Sequence, residues 1–355
     1  MFTLSSPFGL APMAGLTDTA FRRLVKRQGG CGLVVTEMVS SEGLVRGIDR
    51  TLEYAEFTEE ERPVAVQIFG GDPAKMALAA QVVERIGADA VDVNMGCPVP
   101  KVAKHRAGCS LMRDPDQAAA IVQAMAGAVS IPVTVKMRAG WDERETNAPE
   151  LARRLEGAGA AAITVHGRTA AQAYDGRADW ELIARVARAV SIPVFGNGDC
   201  VEPGELVQRL NETGVAGVLV GRGALRNPWI FAQAVAAAAG RPLPAVSGAE
   251  RRRFLLDYID LLLDEPVDEP AGFRHTAVQE GAGLGAWNEE AGHAHSSSDE
   301  RDGPARGRQR WVINKLRALC AWYTRGFHGG SHLRVAVNHT DSIQALREDI
   351  AHFFS

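Results

Sequence analysis

Between residues 9 and about 235 the chain repeats one rhythm eight times. A short run rich in Val, Ile or Leu is followed by a polar or glycine-containing junction, then by a longer stretch with helical spacing of apolar residues. The strand-like runs are GLAPMAG, LVVTEMVS, VAVQIFG, AVDVNMGCP, VTVKMRAG, AITVHGR, PVFGNGD and GVLVGRGAL. Between them lie segments such as DPAKMALAAQVVERIG, where Asp72 can cap the first turn, Pro73 suits the first helical position and Gly87 suits the end. The rhythm predicts parallel strands joined by crossover helices. Eight steps without a topological break predict a closed (β/α)8 TIM barrel rather than an open doubly wound sheet.

Beyond about residue 243 the rhythm changes. The stretches GAERRRFLLDYIDLLLDE, RWVINKLRALCAWYTRGF and DSIQALREDIAHFF read as amphipathic helices, so a barrel over 1–242 is expected to be followed by a small helical domain over 243–355. An insertion at about 264–308, rich in Gly, Ser, Glu, Asp and His with little periodicity, is expected to be disordered. Its His275, His293 and His295 read as part of a solvated tract, so no metal site is expected.

Net charge is −4, which taken whole disfavours a nucleic-acid partner. Its distribution changes that. Residues 264–303 hold ten acidic and two basic side chains; removing them from the 43 acidic and 39 basic of the chain leaves 33 and 37, a mildly basic remainder. No segment approaches the length of a membrane span and no export signal stands at the N-terminus, so a cytoplasmic protein is expected, with a monomer preferred. Five cysteines, Cys31, Cys97, Cys109, Cys200 and Cys320, are odd in number and form no CxxC pair, which argues against a disulfide framework or structural zinc.

In a barrel of this class, chemistry belongs at the C-terminal ends of the strands. Those ends carry Met13, Glu37, Met38, Gln67, Asn94, Cys97, Lys136, Arg138, His166, Arg168, Asn197, Asp199, Gly221 and Arg222. The last two ends, FGNGD and VGRGAL, suit a phosphate cradle built on Gly198, Gly221 and Arg222. Lys136 can serve as a Schiff-base former or as a fixed cation beside an electron-rich ring. In NMGCP, Gly96 permits a tight turn and Pro98 ends strand pairing, which holds the Cys97 thiol at the barrel mouth, able to give a proton or attack a carbon. Buried, inert thiols are expected at Cys31, Cys200 and Cys320. The following loop carries Lys101, Lys104, His105 and Arg106.

Taken together, APMAGLTDTAFR, TEMVS, VQIFGGDP, VDVNMGCPVPKV, GCSLMRDP, VTVKMRAGWDE, ITVHGRT, YDGRADW, PVFGNGD and GVLVGRGALRNPWIF resemble the tRNA-dihydrouridine synthases, most of all their bacterial B branch. The resemblance spans essentially the whole barrel. It implies an enzyme that uses FMN, reduced by NADPH, to reduce the C5–C6 double bond of a D-loop uridine in tRNA. Carried over motif by motif, it implies flavin contacts at Pro12, Met13, Ala14, Gln67, Lys136 and His166. It implies a hold on the ribityl chain and phosphate by Asn197, Gly198, Asp199, Gly221 and Arg222. Cys97 becomes the general acid, and Asn94, Arg138 and Tyr174 hold the uracil. The basic loop from Lys101 to Arg106 would close over the base and face phosphates.

The C-terminal helices resemble the family's RNA-binding domain through Trp322, Tyr323 and Arg325. One departure stands out: the Arg-Lys-His that usually precedes the aromatic pair is here Arg317-Ala318-Leu319. Either weaker tRNA affinity is then expected, or docking that relies on other basic residues such as Arg251, Arg252, Arg253 and Lys315. The alternatives weighed beside this reading are an FMN barrel oxidoreductase acting on a small molecule, resembling dihydroorotate dehydrogenase or enoate reductase, an aldolase or isomerase using Lys136, and a tRNA-binding chaperone.

Overall fold

The computed structural model describes residues 3–104, 106–263, 273–275 and 304–355. Eight parallel strands appear where the rhythm places them: β1 (Phe8–Leu10), β2 (Leu33–Val35), β3 (Val64–Phe69), β4 (Ala90–Met95), β5 (Val133–Arg138), β6 (Ala162–His166), β7 (Val194–Asn197) and β8 (Gly217–Val220). They neighbour one another in chain order, and β1 pairs with β8 through Phe8 opposite Val218, so the sheet closes into a barrel. The run LVVTEMVS is broken. Val39–Ser40 forms a separate short strand against the end of β3, and Glu37 stays buried in the break between the two.

Outer helices follow the strands: α1 (Thr19–Arg27), α2 (Pro73–Arg85), α3 (Pro115–Ala126), α4 (Ala148–Gly157), α5 (Trp180–Ala189), α6 (Pro203–Thr213) and α7 (Ile230–Ala238). After β2 there are instead two short helices, Ser41–Val45 and Asp49–Glu53. Local chemistry explains the starts. Asp72 accepts hydrogen bonds from the Ala74 and Lys75 amides with Pro73 at the head of α2, and Asp114 with Pro115 does the same for α3 through Gln117.

The strands alternate between two cores. Val91, Val93 and Met95 of β4 face the helices and are fully buried, whereas Asp92 and Asn94 face the barrel axis. The inner core is a separate small cluster of Ala11, Val35, Ala65, Ala90, Ala162, Phe195 and Leu219. Four of these seven are alanine, which leaves space on the axis for a polar layer above them. A cavity of about 30 Å³ lies there, bounded by Asp92, Thr134, Lys136, Thr164 and Phe195.

Four more helices follow: α8 (Gly248–Leu263), α9 (Pro304–Tyr323), α10 (Gly330–His339) and α11 (Ile343–Phe353). Their core is continuous with that of the barrel. Phe254 meets Phe21 of α1 edge-on at 6.0 Å, Trp229 at 5.5 Å and Tyr323 in a stack at 5.7 Å. Such pairs add about 0.5–1.5 kcal/mol each beyond their buried area, and the two with Phe21 and Trp229 tie the domain to the barrel. Two expectations for this region change. Of the insertion, 273–275 are described: Arg274–His275 pairs antiparallel with Phe57–Thr58, and His275 stacks on Phe57. The helix also begins at Pro304, before the expected end of the insertion at 308. His293 and His295 lie outside the described residues. Among those that are described, no helix is long and apolar enough to cross a membrane.

Candidate active site

The strand register assembles the mouth. Asn94 lies opposite Lys136, Arg138 opposite His166, and His166 opposite Asn197, so four adjacent strands deliver polar side chains to one rim. Beneath them runs a hydrogen-bonded chain. Thr134 and the Gln67 amide nitrogen donate to the two oxygens of Asp92, at 2.5 and 2.7 Å. Asn94 Nδ2 donates to Gln67 Oε1 at 2.7 Å, and Asn94 Oδ1 accepts from the backbone of Gly96 and Cys97 at 3.2 and 2.9 Å. Asp92 therefore fixes the orientation of both amides, and through them the backbone that carries the thiol. Burial raises the Asp92 pKa, opposed by the hydrogen bonds from Gln67 and Thr134 and by the Lys136 charge. Gln67 and Asn94 each keep one amide N–H for a ligand after these bonds.

Cys97 is half-buried, whereas Cys31, Cys109, Cys200 and Cys320 are buried. Burial pushes the Cys31 thiol up to about 11 and those of Cys200 and Cys320 up to about 12, so these stay protonated and inert. The loop after Cys97 returns across it, with the Cys109 amide donating to the Cys97 carbonyl at 3.1 Å. Gly108 makes this crossing: its φ is +61°, and a Cβ there would lie 2.7 Å from the Cys97 oxygen. Lys101, Lys104 and Arg106 of the loop face water, Arg106 pairing with Asp114 at 3.0 Å. His105 lies outside the described residues.

Arg138 is 3% exposed and binds two loops together, donating to the Gly96 carbonyl of one and the Thr169 and Ala173 carbonyls of the other at 2.7–2.9 Å. Tyr174 is 62% exposed, and the guanidinium groups of Arg138 and Arg222 lie 5.8 and 5.3 Å from the centre of its ring. An exposed ring held by two cations at the rim offers a face to a planar ligand.

The ends of β6, β7 and β8 form the cationic side. Asp199, at φ +48°, accepts from Arg168 and the Ala178 amide at 2.9 and 2.7 Å and from Arg222 at 3.3 Å. A carboxylate repels an anion, so its position between two arginines makes it the group that aims them. Arg168 keeps Nη1 buried with no hydrogen-bond partner among the described residues. Gly198 has φ +136°, and a Cβ there would press on Ala178 at 2.5 Å. At Gly221 a Cβ would sit 3.3 Å from the Met13 sulfur. Asn197 bonds the Leu219 carbonyl at 2.7 Å, tying β7 to β8. Pro12 and Met13 are half-buried at the rim and Ala14 is exposed.

These charges act on each other. Burial, with help from Lys136, Arg138, Arg168 and Arg222, pushes His166 down to about 2, so its imidazole is neutral. Burial and Arg138 push Lys136 down to about 8 against the pull of Asp92, and its ammonium makes no hydrogen bond or ion pair among the described residues. A site with four cations around a neutral imidazole and an orphaned buried guanidinium N–H suits an anionic ligand with a polar ring. The residues fit a flavin mononucleotide.

Sequence reasoning singled out most of these residues, but missed Asp92. The signal was available: an aspartate in a buried strand, two residues before Asn94, must share its face. Two expected roles change. Of the basic residues expected to dock RNA, Lys315 is turned inward onto the barrel, and Arg251 packs over the rings of Trp229 and Phe327. Tyr323 is also fully buried, its hydroxyl bonded to the Arg251 carbonyl.

Comparison with known proteins agrees with this geometry. The family model for dihydrouridine synthase (Dus) matches residues 9–279. A probable tRNA-dihydrouridine synthase of Rickettsia conorii is 36% identical over 99% of this chain and 94% of its own length. A tRNA-dihydrouridine synthase B of Pseudomonas aeruginosa is 43% identical over 73% of this chain and 78% of its own. Among solved structures, that of TcOYE with pHBA aligns over 70% of this chain and 93% of its own with a TM-score of 0.51 and 12% identity, a likeness of fold alone. With a family match across the whole barrel, and a relative aligned along nearly its full length, the chain belongs to the tRNA-dihydrouridine synthase family, on its B branch.

Proposed function

We propose that this enzyme, a flavin-dependent oxidoreductase, holds FMN at the barrel mouth and reduces the C5–C6 double bond of a D-loop uridine in tRNA, with NADPH as reductant and Cys97 as the general acid. The observation that carries the reading is the pairing of cations and a thiol on one rim. Lys136, Arg168 and Arg222 surround neutral His166, and on the strand beside Lys136 the chain runs from Asn94 into a half-buried thiol, Cys97, whose backbone Asn94 fixes.

The flavin, when bound, supplies hydride chemistry. The chain's own residues do the rest. Arg168, Arg222, Gly198 and Gly221 would receive the phosphate, with Asp199 aiming the two guanidiniums. Lys136 would stand as the cation beside the ring, and the remaining amide N–H groups of Gln67 and Asn94 would reach polar edges. Hydride arrival at C6 of a uracil builds negative charge toward C5 and O4, which a thiol proton delivered to C5 discharges. Arg138 holds the Cys97 and Tyr174 loops together, and Tyr174 offers its face to the base. A uridine must leave its stack to reach this rim, at a cost of a few kcal/mol, which fits an RNA-docking domain that grips the remainder of the molecule. The solvent-facing Lys101, Lys104 and Arg106 sit where phosphates of such an RNA would pass.

The test is a single turnover. Protein reduced by NADPH without oxygen is mixed with unmodified tRNA, free uridine or an enone. Flavin reoxidation with tRNA alone, and a gain of two hydrogens at a D-loop uridine, is expected. Reoxidation by the small molecules but not by tRNA would favour the small-molecule oxidoreductase instead.

A further inference from the structure

The Met13–Gly15 turn is held from both sides, and one of the two holds comes from the helical domain. Glu37, at the mouth after β2, accepts the Gly15 amide at 2.7 Å through Oε2. Lys315, on α9, donates to the Gly15 carbonyl at 3.0 Å and pairs with Asp18 at 3.0 Å. Its ammonium also lies 3.7 Å from Glu37 Oε1, a buried oxygen with no hydrogen bond among the described residues. Lys315 is 12% exposed, Asp18 15% and Glu37 5%, so this charge cluster is largely closed to water.

The turn has little else to hold its apex. Gly15 has φ +81° and open space where a Cβ would be. Within the turn, Thr17 accepts the Met13 amide at 2.9 Å, and the Met13 carbonyl accepts from Leu16 and Thr17. The Met13 sulfur in turn lies against Gly221, across the cofactor side of the mouth. Burial raises the Glu37 pKa, opposed by Lys315 and the Gly15 hydrogen bond. Without the ammonium, Glu37 would take up a proton or release Gly15, and either loosens the turn.

A simple latch between domains would not need the Gly15 bond. Tyr258 of α8 already donates to the same Asp18 oxygen at 2.8 Å. We propose that Lys315 is a positioning residue for the Met13–Gly15 turn, so that the helical domain completes the wall of the flavin site rather than serving only as a docking surface for RNA. This rests on the flavin reading above.

The test titrates flavin-free full-length protein with FMN, in the absence of tRNA, and follows fluorescence and the absorption band of the bound ring. Lys315→Met is expected to weaken FMN binding about tenfold and to shift the band, and Lys315→Arg to restore most of both. Tyr258→Phe, which breaks the domain contact but not the Gly15 bond, is expected to lower thermal stability with FMN affinity unchanged. Should Lys315→Met fail to fold, Lys315→Gln carries the comparison. An unchanged affinity and band in the lysine variant, or an equal loss in Tyr258→Phe, overturns the inference. A parent protein that takes up no flavin overturns the flavin reading itself, and this inference with it.

Discussion

At the scale of single residues, the mouth is a set of groups whose ordinary ionisation is shifted first by burial and then by neighbouring charges. Lys136 is the clearest case. In the unfolded chain it titrates near 10.5, and in the fold at about 8, so between those values the unfolded state binds more protons than the folded one. Stability of the flavin-free protein is therefore expected to rise as pH climbs from about 8 to about 10.5, by up to about 3 kcal/mol for this group. Lys136→Met is expected to raise the melting temperature of the flavin-free protein at neutral pH while weakening FMN. Melting curves across that pH range check it, and a variant that melts lower and binds FMN unchanged contradicts it. For Cys97, replacement by alanine is expected to lower tRNA reduction by about 10²–10⁴-fold with FMN affinity unchanged, since the Asn94 bonds reach its backbone and not its sulfur.

Residues of this kind were legible to different degrees. Cys97, Lys136 and Arg138 stand at strand ends in an otherwise apolar setting, and their position in the rhythm was enough to mark them. Gln67 and Asn94 were marked as ligand-facing, yet each also works inside the Asp92 chain. A strand pattern gives the face a residue occupies and not the neighbour it meets across the register, so that chain was hidden. Lys315 was read as a docking cation because a lysine on an amphipathic helix carries no sign of which face meets a second domain.

At the scale of elements, two features hold the mouth in shape. Arg22 of α1 is 1% exposed and Glu61 is fully buried, and they pair at 2.5 Å; Arg22 also donates to the Thr17 and Glu56 carbonyls at 2.8 Å, while Glu61 accepts from the Thr58 amide at 2.9 Å. Arg22→Met leaves a buried carboxylate without its cation and is expected to cost about 3–5 kcal/mol in denaturant unfolding. A loss under about 1 kcal/mol would mean that Glu61 escapes to water. Gly108→Ala forces a side chain at φ +61° against the Cys97 carbonyl and is expected to cost about 1–3 kcal/mol. It should impair tRNA reduction while FMN binding is kept, because the displaced loop carries the thiol and not Lys136, Arg168 or Arg222. Equal loss of both would place the phosphate side in the same mobile unit. The eight strands and their helices were plain in the sequence, since period and capping both act locally. The pairing of Arg274–His275 with Phe57–Thr58 was not, because two-residue strands have no period to read.

At the scale of the whole molecule, barrel and helical domain share one apolar core through Phe21, Trp229, Phe254 and Tyr323. The mouth and the C-terminal helices are thus built on one continuous core. The central claim is that Cys97 and the cationic residues of the same barrel mouth, which would hold a flavin, serve the reduction of a uridine in tRNA. The most direct test is mass spectrometry of tRNA from a strain lacking dihydrouridine, with and without this protein or its Cys97→Ala variant. The account predicts a gain of two hydrogens at a D-loop uridine with the parent and little or none with the variant. An FMN-loaded parent that leaves every uridine unchanged would contradict it.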